Sequence, residues 1–163
     1  MIDVVLYEPE IPPNTGNAIR LCANAGIKLH LIKPLGFRLD DKSLQRSRLD
    51  YHQLADVAIH ENLGACLAAL EGRRLFAVET GGRRRYSDLA CRPGDAFIFG
   101  PETRGLPIAL QERIGTDNSL FIPMRPGSRS INLANAVAIV AFEAWRQLNF
   151  AGSDSHRSGG QIE

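Results

Sequence analysis

Four short segments of this chain carry polar groups at spacings that could support chemistry. NTGNAIR (residues 14–20) places Asn14, Asn17 and Arg20 around the start of a helix, where unpaired backbone N–H groups favour an anion. A helix cap made by either asparagine, with a solvated arginine beside it, explains the same residues. FGPETRGL (99–106) sets Glu102 in a tight turn after an apolar strand. A solvated loop acid accounts for one glutamate, yet the flanking Gly and Pro constrain the backbone more than solubility requires. PMRPGSRSIN (123–132) collects Arg125, Ser128, Arg129, Ser130 and Asn132 immediately before a helix. A serine or Asn132 is expected to cap that helix, which leaves the two arginines unexplained. The fourth segment is Arg83, Arg84 and Arg85 in a row, either a solvated loop or a patch for a nucleic-acid backbone.

Familiar alternatives are missing. The turn after the first strand reads PPNTGN where a dinucleotide site would want GxGxxG, and no GxxxxGK[ST] or GxSxG occurs. Cys22, Cys66 and Cys91 are scattered, with no CxxC, and His30, His52, His60 and His156 lack ligand spacing. Reduced thiols are expected, with neither a disulfide framework nor a metal site.

The chain's 163 residues suit one domain with its own core, and 44% apolar with 23% charged residues is ordinary for a globular protein. The net charge of +1 conceals an asymmetry, because all but three of the 19 basic residues are arginine. Arginine suits phosphates, carboxylates and base faces, although high genomic GC content also raises its count. Asp3 and Glu8 interrupt the short apolar start, and no apolar run reaches the roughly 18 residues of a membrane span. A cytoplasmic protein with no membrane partner is expected.

The elements that must position these segments alternate. Strands are predicted over 2–8, 28–34, 57–59, 74–80, 95–100 and 119–124, and helices over 17–26, 62–72, 106–114 and 132–148. One or two helical turns are expected at 41–48, a basic loop at 81–86, and a disordered polar tail at 151–163. This alternation predicts an α/β fold, a mostly parallel sheet with helices on both faces, as a single domain over 1–150. Ligands of such sheets sit beyond the carboxyl ends of the strands, where all four segments fall. The last helix is apolar nearly all round, from Leu133, Val137 and Val140 to Ala138, Phe142 and Trp145. Its second face must meet either more of its own chain or a second subunit.

Taken together, VLYEPEIPPNTGNAIRLCANAG (5–26), FGPETRGL and IPMRPGSRSINLANAVAIV (122–140) resemble the three ordered motifs of SPOUT-class RNA methyltransferases. Residues 1–150 are similar to the TrmL (YibK-like) family, which 2′-O-methylates the wobble cytidine or uridine of tRNA. The resemblance implies a C-terminal trefoil knot, which connection rules would not suggest, together with an S-adenosylmethionine cofactor, a homodimer and no metal. It places cofactor contacts at Val78, Gly100, Ile122 and Ser130, with Glu79, Thr80, Glu102, Gly105, Leu120 and Met124 nearby and Leu133 as an apolar wall. Asn14 and Arg20 have the family's six-residue spacing. Arg20 would stabilise the ribose oxyanion or act as base, the latter demanding because a guanidinium gives up its proton only with great difficulty. Glu102, Ser130 and Asn132 would orient Arg20, cofactor or ribose, and Arg83, Arg84, Arg85, Arg125 and Arg129 would grip tRNA. Phe142 and Ala134 depart from the tyrosine and serine of many relatives. Another RNA substrate such as rRNA, or a non-catalytic RNA-binding role, is the alternative.

Overall fold

The computed structural model describes residues 1–38 and 57–153. Its strands are β1 (Asp3–Tyr7), β2 (Lys28–Ile32), β3 (Val57–His60), β4 (Leu75–Val78), β5 (Arg84–Arg85), β6 (Ala96–Phe99) and β7 (Ser119–Phe121). Its helices are α1 (Pro12–Ala25), α2 (Leu63–Ala69), α3 (Ile108–Ile114) and α4 (Leu133–Gln147). The strands form one sheet in the order β3-β2-β1-β6-β4-β7-β5, with parallel pairing throughout. The expected α/β sheet with helices on both faces is present. The turns predicted at 41–48 and tail residues 154–163 lie outside the described residues.

Side-chain alternation divides the core into two layers. Val4, Leu6, Leu29, Leu31, Phe76, Val78, Phe97, Phe99 and Leu120 face α1 and α4. Val5, Ile32, Ala77, Ala96 and Ile98 face Cys66 and Leu70 of the α2 region and Leu110 and Ile114 of α3. Burial on both faces explains why these strands read as continuous apolar runs. α4 buries Val137, Val140, Ala141 and Ala144 against the sheet and α1, while Phe142 on its other side is 44% exposed. After α4 the chain turns back on it: Trp145 Nε1 donates to the Ala151 carbonyl at 3.0 Å, and Phe150 meets the indole edge-on. Among the described residues no helix is long and apolar enough to cross a membrane.

Two elements differ from the sequence expectation. α1 starts at Pro12, not at residue 17, because Pro12 and Pro13 occupy first-turn positions whose N–H groups would have no helical partner anyway. The basic segment is not wholly a loop, since Arg84 and Arg85 pair with Leu120 and Phe121 of β7. Val78 at the end of β4 pairs with Leu120 as well. Residues 79–83 must therefore cross β7 near Leu120. Gly82 makes the crossing: a Cβ there would lie 2.3 Å from the Leu120 carbonyl carbon and oxygen. Any side chain would force the two segments apart. A chain threaded as the resemblance implies needs such a close crossing.

Candidate active site

The connections after β1 and β6 leave neighbouring parallel strands for opposite faces, β1 leading to α1 and β6 to α3. A crevice opens where adjacent strands send their chains apart. A pocket of about 520 Å³ occupies this end of the sheet, walled by residues following β1, β4, β6 and β7. That volume lies within the range of small-molecule sites.

Glu102 organises the pocket's polar side. Its Oε2 accepts from the Glu10 N–H at 2.9 Å, and its Oε1 accepts from the Ile11 N–H at 3.3 Å and from Asn14 Nδ2 at 3.0 Å. The anion expected at the start of α1 is thus the protein's own carboxylate, held by backbone donors and favoured by the helix dipole. Asn14 is not the cap. It lies inside the first turn, buried, and the N-cap position is Ile11 with no side-chain cap bond. Its amide is therefore available to Glu102 on one side and to Asn132 on the other, whose Nδ2 donates to Asn14 Oδ1 at 2.8 Å. Asn132 also caps α4, its Oδ1 accepting from the Asn135 N–H at 3.3 Å. One hydrogen-bonded chain, Glu102–Asn14–Asn132, joins three segments that are distant in sequence.

The pocket also has an apolar lining around a second acid. Val78, Ile122, Met124 and Leu133 form it, beside Glu79 and Thr80. Glu79 Oε1 accepts from the Leu106 N–H at 2.7 Å. Burial pushes its carboxyl above the usual range, and the bond from Leu106 pulls it partly back. The turn between β6 and α3 folds tightly on itself: a Cβ on Gly100 would lie 2.5 Å from the Gly105 carbonyl carbon. This brings the Gly100 and Gly105 backbone to the pocket wall without side chains in the way.

Most of the sequence-derived site residues meet here: Asn14, Val78, Glu79, Thr80, Gly100, Glu102, Gly105, Ile122, Met124, Arg129, Ser130, Asn132 and Leu133 all line the pocket. Leu120 does not, being fully buried in the core, and its carbonyl accepts from the Glu79 N–H at 2.9 Å. Arg20 is exposed and outside the lining. Six residues along a helix amount to roughly 600° of rotation, so Arg20 points about a third of a turn away from Asn14. Arg125 is also exposed and outside the lining. Arg83, Arg84 and Arg85 border a separate groove with Asp88, Asp117 and Phe121, and Arg84 Nη2 donates to the Asp88 carbonyl.

Sequence reasoning missed the bracing beneath Glu102. Thr103 donates to Glu10 through its N–H at 3.2 Å and its hydroxyl at 2.9 Å, and Arg104 pairs with Glu8. Glu8 has φ +46°, a left-handed conformation uncommon for a residue with a side chain, and its N–H is held by the Ile32 carbonyl at 3.0 Å. The signal lay in plain view: two acids in YEPEIPP and a threonine and an arginine in ETRG.

The SpoU rRNA Methylase family matches residues 1–142 of the chain. A tRNA (cytidine(34)-2′-O)-methyltransferase of Methylovorus glucosotrophus is 56% identical over 153 residues, covering 94% of this chain and 99% of the relative. A solved structure concerning the 2-OH methylation of C/U34 on tRNA superposes with a TM-score of 0.85 at 45% identity, covering 91% of this chain and 97% of that one. An AdoMet-bound rRNA methyltransferase from Sinorhizobium meliloti shares the fold, with a TM-score of 0.79 at 24% identity over 90% of this chain and 56% of its own. With its three motif segments gathered on one pocket and a family match over most of its length, the chain belongs to the SpoU rRNA Methylase family.

Proposed function

We propose that the protein transfers a methyl group from S-adenosylmethionine to the ribose 2′-oxygen of cytidine 34 in tRNA. The observation that carries this reading is the Glu102–Asn14–Asn132 chain, which ties all three motif segments to one pocket wall. The relative from Methylovorus, matched over nearly its whole length, supports the substrate and the position.

The pocket fits the cofactor chemically. Val78, Ile122, Met124 and Leu133 offer an apolar face for a base and thioether, the Gly100 and Gly105 backbone allows close approach, and Glu79 offers a carboxylate to a cationic ligand. When bound, S-adenosylmethionine supplies a sulfonium-activated methyl group to the ribose oxygen. Ser130 at the pocket edge orients ligand or ribose. Glu102 braces the start of α1 through Glu10, Ile11 and Asn14, and Arg20, exposed farther along that helix, meets substrate from outside the pocket. A permanently charged guanidinium is a poor base but a good stabiliser of the oxyanion that develops as the 2′-OH passes its proton to solvent. Arg83, Arg84, Arg85, Arg125 and Arg129 occupy exposed or half-exposed positions and supply phosphate contacts. The exposed Phe142 face of α4 supports a homodimer.

The direct test is methyl transfer from labelled S-adenosylmethionine to total tRNA and to rRNA, followed by nucleoside mapping. The expected product is 2′-O-methylcytidine at position 34. Methylation confined to rRNA would replace the substrate assignment, and binding of RNA without transfer would replace the enzymatic one.

A further inference from the structure

At the far edge of the sheet, on the face covered by α2, lies a polar cluster that the pocket does not use. His30 of β2 and His60 of β3 sit diagonally on neighbouring strands. Their rings stack with centroids 5.1 Å apart, and His30 Nδ1 lies 2.8 Å from His60 Nε2. The other nitrogen of His30, Nε2, is 3.2 Å from Asp3 Oδ1, and Asp3 Oδ2 is 3.1 Å from Arg73 Nη1. Cys66 of α2 faces the same spot, so that its Sγ and one nitrogen from each histidine all lie within 4.8 Å of one another. Cys66 and His30 are buried, and His60 is half-exposed.

Asp3 decides how His30 can act. A carboxylate accepts, so His30 gives the proton on Nε2 to Asp3, and the neutral ring then turns the lone pair of Nδ1 toward His60. Histidine ligands of metals are commonly held this way, with the outer N–H given to a carboxylate. Arg73 balances the charge of that carboxylate from the other side. Two imidazole nitrogens and one thiol form a donor set that suits a borderline-soft divalent ion. We propose that His30, His60 and Cys66 bind a zinc ion, with Asp3 and Arg73 as its outer support and the fourth position open beside half-exposed His60.

Closing the three donors, which lie within 4.8 Å of one another, onto one ion requires the thiol to sit about 3.5 Å from each nitrogen and the two rings to part slightly. Zinc–nitrogen bonds of about 2.0–2.1 Å in a tetrahedron place two nitrogens about 3.3 Å apart, so the rings must separate by about half an ångström. His60, on the last strand at this edge of the described sheet, is the ring with room to move. Bound in this way the ion would fasten β3 and α2 to the central strands.

The test is titration of the full-length, chelator-treated protein with Co²⁺, which reports thiolate ligation by a near-ultraviolet charge-transfer band and tetrahedral geometry by visible bands. One cobalt per chain is expected, displaced by Zn²⁺. Cys66→Ala should abolish the charge-transfer band. His60→Ala, at a half-exposed position and with unchanged circular dichroism, should weaken binding at least about tenfold. Cys91→Ala should leave both intact. No charge-transfer band in the wild type, a band that survives Cys66→Ala, or unchanged affinity in His60→Ala would overturn the site and leave a histidine pair hydrogen-bonded to Asp3.

Discussion

The helices α1 and α4 lie side by side on the same face of the sheet, and each brings an asparagine to the pocket. They begin in different ways. α4 starts on Asn132, whose side chain caps its own helix three residues ahead. α1 starts on Ile11 and two prolines with no side-chain cap, and the donors before it are held by Glu102, some ninety residues away in sequence. One helix start is a local matter and the other a tertiary one. That difference frees Asn14 from capping and leaves its amide to join Glu102 to Asn132. The two helices also bury different things: α4 buries only apolar side chains, whereas α1 buries Asn14 and Thr15 as well.

The largest effect should come from charging the apolar helix. Val137 is fully buried, so Val137→Asp should cost more than about 4 kcal/mol and abolish cooperative folding, as read from denaturant unfolding. A stable variant would show that α4 is not the core element its burial indicates. Next is Arg20→Ala on the exposed side of α1. It should lower methyl transfer by about 10²–10³-fold, the scale of losing one oxyanion donor, with folding retained by circular dichroism. Full activity would remove Arg20 from the mechanism.

The tertiary start of α1 is probed by Glu102→Ala. It strands three donors, and a loss of about 1.5–3 kcal/mol in stability is expected along with weaker cofactor binding by calorimetry. The local start of α4 can be dissected with two substitutions at one position. Asn132→Ala removes the cap and the bond to Asn14 and should cost about 1 kcal/mol. Asn132→Asp retains the cap acceptor but sets a carboxylate oxygen against Asn14 Oδ1, so any stability it loses reports the bond to Asn14 alone, and cofactor affinity should fall. Equal stability losses in both would mean that the bond to Asn14, not the cap, supports the helix.

The smallest effect is a pH dependence from Glu79. Its carboxyl lies above the ordinary 4.5 in the folded state, so the native protein holds this proton more tightly than the unfolded chain. Its stabilising contribution is full below about pH 4.5 and is lost as pH rises through the raised value. Wild type should therefore gain stability relative to Glu79→Gln as pH falls through that window, measured by denaturation at a series of pH values. A constant difference would place the carboxyl in ordinary solvent.

Much of this was legible from residue order. The strand and helix sequence appeared because burial on both faces leaves apolar runs, as in AFIF of β6, with turns between them. The helix start at Pro12 was not, because PPNTG reads as a loop until its prolines are recognised as first-turn residues. The two-residue strand β5 was hidden as well. Two arginines carry no strand signal, and they pair only because the arch at Gly82 sets them beside β7.

The sequence by itself determined the order of every strand but β5, the apolar character of α4 and the presence of a capping serine or asparagine before it. Those features depend on neighbours a few residues apart. Only the tertiary structure decided that Glu102 is the anion at the head of α1, that Asn14 links rather than caps, and that Arg20 stands outside the pocket its motif helps to build. Each of these depends on groups that meet across the crevice between β1 and β6, and no local spacing in the chain records which of them will touch.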